Sequence, residues 1–344
     1  MPERASTQVL VIGDGSWGTT IALHLARNGV RARMWSAFPD FAAELERTRE
    51  NKRFLPGVRL PAEIEITADP YRAAAGAELV VSVVPTQYLR GVAHKFEDAL
   101  PGNLPIVSAT KGIEIETFKT PSQILAEVLG DRPLCVLTGP SHAEEVALQK
   151  PVALLAASGD LALAQRVQAV FSSPSFRVYT HDDPLGAELA GALKNVIAIA
   201  AGISDGLELG DNAKSALLTR GIVEIARYGR SRGASPRTFF GLAGLGDLVT
   251  TCCSKHSRNR AVGEAIGRGK QLSEVLAGMK MVAEGVWTAK ALFGPEADLG
   301  DVSMPIAEQV HAILFDGKDP RGAVLDLMNR APTAEMDGLL GEFS

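Results

Sequence analysis

Four apolar residues at 9–12 run straight into glycines, and a helical pattern follows over 16–28. This order of apolar run, turn and amphipathic stretch repeats through the first half of the chain. The pattern predicts strands at 9–12, 31–35, 79–84, 105–109, 134–137, 152–157 and 177–179. The run LVVSVV at 79–84 is almost continuously apolar, as a parallel strand covered on both faces should be. Helices are predicted between several strands, including 16–28 and 87–99. Repeated βα units of this kind argue for a doubly wound α/β sheet. The pattern changes after Asp182-Asp183-Pro184. Beyond it the periodicity is helical only, over 189–204, 212–230, 260–268, 287–292 and 306–314, with Pro184 suited to the first position of a helix. The expected organisation is an α/β unit over 1–183 and an all-α unit over 184–344. The stretch GRSRGASPR at 229–237 reads as a solvated loop.

Composition narrows the possibilities. A chain of 344 residues that is 46% hydrophobic can fill two cores. Its net charge of −5 lacks the bulk basic field of a nucleic-acid binder. Cys135, Cys252 and Cys253 are too few and too badly spaced for a disulfide framework or a zinc cage. The opening MPERASTQ has no apolar signal core, and no run reaches the roughly 18 apolar residues of a membrane span. The expectation is a cytoplasmic protein with no membrane span, no nucleic-acid partner and no metal.

Candidate chemistry starts with GDGSWG at 13–18. Gly13 permits a sharp turn, Gly15 lets a pyrophosphate touch the backbone, and Gly18 lets helix pack on strand. Free N–H groups at the helix start would hold phosphates, and the first unit becomes a Rossmann-like dinucleotide binder. The second candidate is Lys194, the only charge in the apolar helix LAGALKNVIAIAAGIS. A helix apolar nearly all round is buried, and a buried ammonium loses solvation and pKa unless a carboxylate compensates. Such a lysine can serve as a general acid or base; the alternative is one that snorkels to the surface. The third is GLAGLGDLVTTCCSKHSRNR at 241–260. Asp247 stands alone in a glycine-rich apolar stretch, and Ser257, Arg258 and Asn259 belong to a polar, cationic cluster suited to phosphate oxygens. A helix cap and a solvated basic turn are the plainer alternatives. Last, strand-end turns carry Lys111 and the Gly139–Ser141–Ala143 segment, on the side where doubly wound sheets bind ligands.

Together these segments resemble the NAD(P)-dependent glycerol-3-phosphate dehydrogenases of the bacterial type. The resemblance runs from about Val9 to about Asp319. It rests on GDGSWGT, NKRFLPG, VVPTQ, TKGIE, LTGPSHAEEV, ELAGALKNVIAIAAGISDGLELGDNAKSALLTRG, TFFGLAGLGDLVTTC, SRNR and VAEG. It implies reversible reduction of dihydroxyacetone phosphate to sn-glycerol 3-phosphate, a precursor of glycerophospholipids. It implies Lys194 as the catalytic lysine, with Lys111, Gly139, Ser141, Lys194, Asp247, Ser257, Arg258 and Asn259 on the substrate. Gly13, Gly15, Ser16, Trp17, Gly18, Lys111, Ala143, Arg258, Val282 and Glu284 would contact the cofactor. At the end of the second strand, WSAF offers neither an acid for a ribose diol nor an arginine for a 2′-phosphate. The missing acid and the bacterial-type resemblance favour NADPH over NADH. A homodimer is the expected assembly on the general preference for two-fold symmetry.

Overall fold

The computed structural model describes residues 7–279, 281–336 and 339. The first six residues of the polar N-terminal segment lie outside them. The chain divides into two compact units: 1–110 with 121–184, and 111–120 with 185–344. A ten-residue segment that starts at Lys111 therefore belongs with the helices of the second unit, not with the sheet that precedes it.

The first unit is built in the order β1 (Gln8–Ile12), α1 (Ser16–Arg27), β2 (Arg31–Trp35), α2 (Pro39–Thr48), β3 (Glu65–Thr67), α3 (Pro70–Ala74), β4 (Leu79–Ser82), α4 (Thr86–His94) and β5 (Ile106–Ser108). It continues with α5 (Pro121–Leu129), β6 (Leu134–Thr138), α6 (Ala143–Ala147), β7 (Val152–Ala157), α7 (Leu161–Phe171) and β8 (Phe176–His181). The eight strands form one sheet in the order β3-β2-β1-β4-β5-β6-β7-β8. All neighbours are parallel except β6 and β7. The expected Rossmann-like sheet is thus present. Its central strands are apolar on both sides because helices cover both faces. Val9, Val11, Val81 and Val107 enter one core with Ile21 and Leu25 of α1. Leu10, Ile12, Val80 and Ile106 enter the other with Leu89 of α4 and Leu125 of α5. Strand β3 was not expected: it has three residues and opens on an exposed glutamate. Helix α4 stops at His94, and the rest of the expected stretch to 99 is turns.

The second unit contains α8 (Pro184–Gly206), α9 (Gly210–Ser231), α10 (Pro236–Phe239), a π-helical turn (Leu242–Gly246), α11 (Asp247–Cys253) and α12 (Arg258–Gly267). It ends with α13 (Leu272–Ala277), α14 (Glu284–Leu292), α15 (Pro305–Phe315) and α16 (Pro320–Met328). No strand occurs among the described residues of this unit. The stretch at 229–237 is less of a loop than expected, because α9 runs to Ser231 and α10 starts at Pro236. Helix α8 is long and apolar enough to cross a membrane by hydropathy, a property that run-counting missed because glycines and Lys194 interrupt the run. Its most apolar 18-residue window is 94% buried inside the protein, as for a core helix. Helix α12 crosses it at glycine contacts. A Cβ on Gly202 of α8 would lie 2.0 Å from the Arg260 carbonyl oxygen, and one on Gly263 of α12 would lie 2.0 Å from that of Ile199. The two backbones therefore touch, which fixes the start of α12 relative to Lys194.

Candidate active site

In the first unit the glycine turn joins β1 to α1. Gly13 has φ +125°, which an L side chain rarely adopts, and its N–H donates to the Trp35 carbonyl at 3.1 Å. A Cβ on Gly18 would lie 2.1 Å from the Gly13 carbonyl oxygen, so the helix closes on the turn only with glycine there. A Cβ on Gly15 would meet no atom within 4 Å beyond its chain neighbours. No side chain caps α1, and no acidic residue stands in its first turn. The positive helix end is thus left for an outside anion, and the turn fits a pyrophosphate. Ser16 begins α1 and is buried; Trp17 is half-buried against the core. The NKRFLPG loop braces the turn from behind. The Asn51 amide donates to the Asp14 carbonyl at 2.8 Å and to Thr19 Oγ1 at 2.7 Å. The strand-end segment after β6 is in the same unit. Ser141 donates to the Gly139 carbonyl at 3.0 Å, and Ala143 opens α6 and accepts from Thr20 Oγ1 at 3.2 Å.

In the second unit Lys194 does not snorkel. It is 3% exposed, and its ammonium has three acceptors for its three N–H bonds. Nζ lies 2.7 Å from Thr251 Oγ1, 3.0 Å from Asn195 Oδ1 and 3.3 Å from Asp247 Oδ1. The Thr251 hydroxyl can accept from the lysine because it donates to the Asp247 carbonyl at 2.6 Å. The other carboxylate oxygen of Asp247 takes Lys111 Nζ at 2.6 Å. One buried carboxylate thus holds two ammonium groups. Burial is the main force on Lys194 and pulls its pKa down to about 8; Asp247 opposes the fall and Lys111 adds to it. The group is poised near neutral pH, where one side chain can both give and take a proton.

Helix α12 brings the polar cluster to this array in part. Ser257 caps the helix by accepting from the Arg260 N–H at 3.2 Å. Asn259 donates to Asn195 Oδ1 at 2.9 Å and accepts from the Gly285 N–H at 2.9 Å, so its carboxamide joins Lys194 through Asn195. Arg258 is more exposed and turns to the Val282 carbonyl at 2.7 Å, beside Glu284, which opens α14. The structure therefore gathers Lys111, Lys194, Asp247 and Asn259 into one network. It ties Arg258 to the Val282 carbonyl, two residues before Glu284 in the chain. Gly139, Ser141 and Ala143 stand with the glycine turn in the first unit. Among the described residues no cluster of metal-ligating side chains occurs.

The two halves of the chain match one family. Residues 8–164 fit the profile described as the NAD-dependent glycerol-3-phosphate dehydrogenase N-terminus, and residues 183–325 fit its C-terminus. The chain belongs to that family. It is 49% identical over 332 residues to a glycerol-3-phosphate dehydrogenase [NAD(P)+] of Chlorobium phaeobacteroides, covering 96% of this chain and 99% of the relative. A protein with the same description from Geobacter metallireducens is 49% identical over 328 residues, covering 94% and 98%. The crystal structure of glycerol-3-phosphate dehydrogenase from Coxiella burnetii superposes with a TM-score of 0.90 at 36% identity, covering 95% of this chain and all of that one.

For this family member, reading the residues alone missed Thr251 and Asn51. Thr251 follows Asp247 by four positions, a spacing that puts both on one helix face. That signal was hidden because glycines precede Asp247, and a helix there entered only through the alternative of a cap. Asn51 gave no signal, since only the fold brings it to the turn.

Proposed function

We propose that the protein reversibly reduces dihydroxyacetone phosphate to sn-glycerol 3-phosphate with NADH or NADPH. The observation that carries this reading is the buried Lys194, held between Thr251, Asn195 and Asp247 with a pKa brought down to about 8. When bound, the reduced nicotinamide supplies the hydride. Lys194 protonates the ketone oxygen in the reductive direction and takes the hydroxyl proton back in the reverse. Asp247 keeps that ammonium and the Lys111 ammonium in place. Lys111, Ser257, Arg258 and Asn259, with Gly139 and Ser141, bind the substrate; part of the phosphate grip orients the reacting carbon. Gly13, Gly15, Ser16, Trp17 and Gly18, with Lys111, Ala143, Arg258, Val282 and Glu284, bind the cofactor.

The test is to mix purified protein with dihydroxyacetone phosphate and follow nicotinamide absorbance with NADPH and with NADH. Rapid oxidation is expected with at least one. A folded protein that oxidises neither would end this reading. The same reading places the protein in the cytoplasm as a homodimer that supplies glycerophospholipid synthesis. Light scattering at several concentrations tests the assembly.

A further inference from the structure

The end of β2, where dinucleotide folds read the adenosine ribose, carries no charge of its own: Ser36, Ala37 and Phe38 follow Trp35. The structure brings a charge there from elsewhere. The hydroxyl of buried Ser36 donates to Oδ2 of Asp14, the residue between the first two glycines of the turn. Both backbones are fixed at that point. Gly13 N–H donates to the Trp35 carbonyl at 3.1 Å, Ser36 N–H to the Thr67 carbonyl at 3.0 Å, and the Asn51 amide to the Asp14 carbonyl at 2.8 Å. Oδ1 of Asp14 takes no hydrogen bond from another residue among the described residues, so an acceptor remains at the tip of β2.

Resting on the cofactor reading above, we propose that Asp14 sets the dinucleotide preference of this chain and favours NADH over NADPH. A ribose 2′-hydroxyl donates to a carboxylate, whereas a 2′-phosphate would bring a like charge against it. The arginines of β2 do not offset this. Arg33 is committed to Glu65 at 2.8 Å and to the Arg72 and Ala75 carbonyls at 2.6 and 2.7 Å. Arg31 pairs with Gln8 at the opposite end of the strand. Arg53 is the cation that acts on Asp14, and weakly: it is exposed, with its guanidinium 4.9 Å from the centroid of the Phe54 ring. Burial outweighs it and raises the carboxyl pKa, with Ser36 the larger of the two opposing side chains. This points the opposite way from the missing acid at the end of β2, because the acid comes from the glycine turn.

The experiment is equilibrium titration of the full chain and of its Asp14→Ala and Asp14→Asn variants with NADH and with NADPH, read by fluorescence transfer to the nicotinamide. The wild type should bind NADH about tenfold or more tightly than NADPH, and both variants should lose most of that ratio through tighter NADPH binding. Equal or tighter NADPH binding by the wild type would overturn the proposal, as would an unchanged ratio in a folded Asp14→Asn protein. That variant keeps an acceptor for Ser36 and controls for collapse of the turn. Titration needs no turnover. NADH selectivity without reduction of dihydroxyacetone phosphate would keep this inference and end the dehydrogenase reading, and failure to bind either dinucleotide would end both.

Discussion

Lys194 spends each of its three N–H bonds on the protein, so a substrate oxygen has to replace one of those acceptors. Thr251 is the one whose loss tells most, because its hydroxyl touches both Lys194 and Asp247. Thr251→Val removes a charge-assisted bond of about 1.5–3 kcal/mol, and we expect kcat to fall about 10- to 100-fold with the fold retained. Lys194→Ala should collapse turnover altogether; near-normal turnover in a folded variant would end its role in proton transfer. The pH dependence follows from the value near 8. Reduction needs the ammonium, so its rate should fall as pH rises through about 8. Oxidation of glycerol 3-phosphate needs the amine and should rise over the same range. Flat profiles in both directions would place the proton elsewhere. The linkage to stability runs against the usual lysine case. The folded value lies below the ordinary 10.5, so between about 8 and 10.5 the unfolded chain holds more protons, and stability rises with pH. Lys194→Met removes that gain. The wild-type Tm should therefore climb relative to the variant across that window, and parallel curves would contradict the depressed pKa.

At the scale of elements, the placement of the residues proposed to bind substrate depends on how closely α12 lies on α8. Gly263→Ala would place a methyl carbon 2.0 Å from the Ile199 carbonyl oxygen, and backbone cannot move aside as a side chain can. We expect a loss of about 1–3 kcal/mol in chemical denaturation, with a higher KM for dihydroxyacetone phosphate as Asn259 draws away from Asn195. Unchanged stability would mean the helices separate freely. This crossing also marks how far the sequence could be read. The strands of the sheet were legible because long apolar runs bounded by turn residues have few other folds, and β3 was not because three residues carry no period. The apolar surroundings announced that Lys194 was buried. Apart from Asn195, the next residue in the chain, what lay beside it was not announced, since Asp247 and Thr251, and Lys111 behind Asp247, arrive through tertiary packing. The π-helical turn before Asp247 has no sequence period to find, and the capture of 111–120 by the helical unit is a contact property, not a local one. Asp14 was read past for the same reason: its meaning comes from Ser36, a neighbour only in the folded sheet.

The whole molecule carries a net charge of −5, yet the proposed reaction asks it to hold a phosphorylated substrate and a dinucleotide, both anionic. The long-range field opposes capture, so affinity must come from cations within contact distance: Lys111, Arg258 and the uncapped start of α1. These differ in how salt reaches them. Lys111 is partly buried on Asp247, whereas Arg258 is more exposed and is screened on a Debye length of about 8 Å at physiological ionic strength. The KM for dihydroxyacetone phosphate should therefore rise with sodium chloride while kcat holds, because salt weakens phosphate binding and leaves the buried proton donor alone. Arg258→Ala should raise KM at low salt about 10- to 100-fold and flatten most of the salt dependence, since the screened contact is the one removed. Steady-state kinetics at several ionic strengths, with the chloride replaced by acetate in a parallel series to separate screening from anion competition, measures both effects. A wild-type KM indifferent to salt, or an equal slope in the variant, would move the phosphate off Arg258 and onto the buried groups around Lys111.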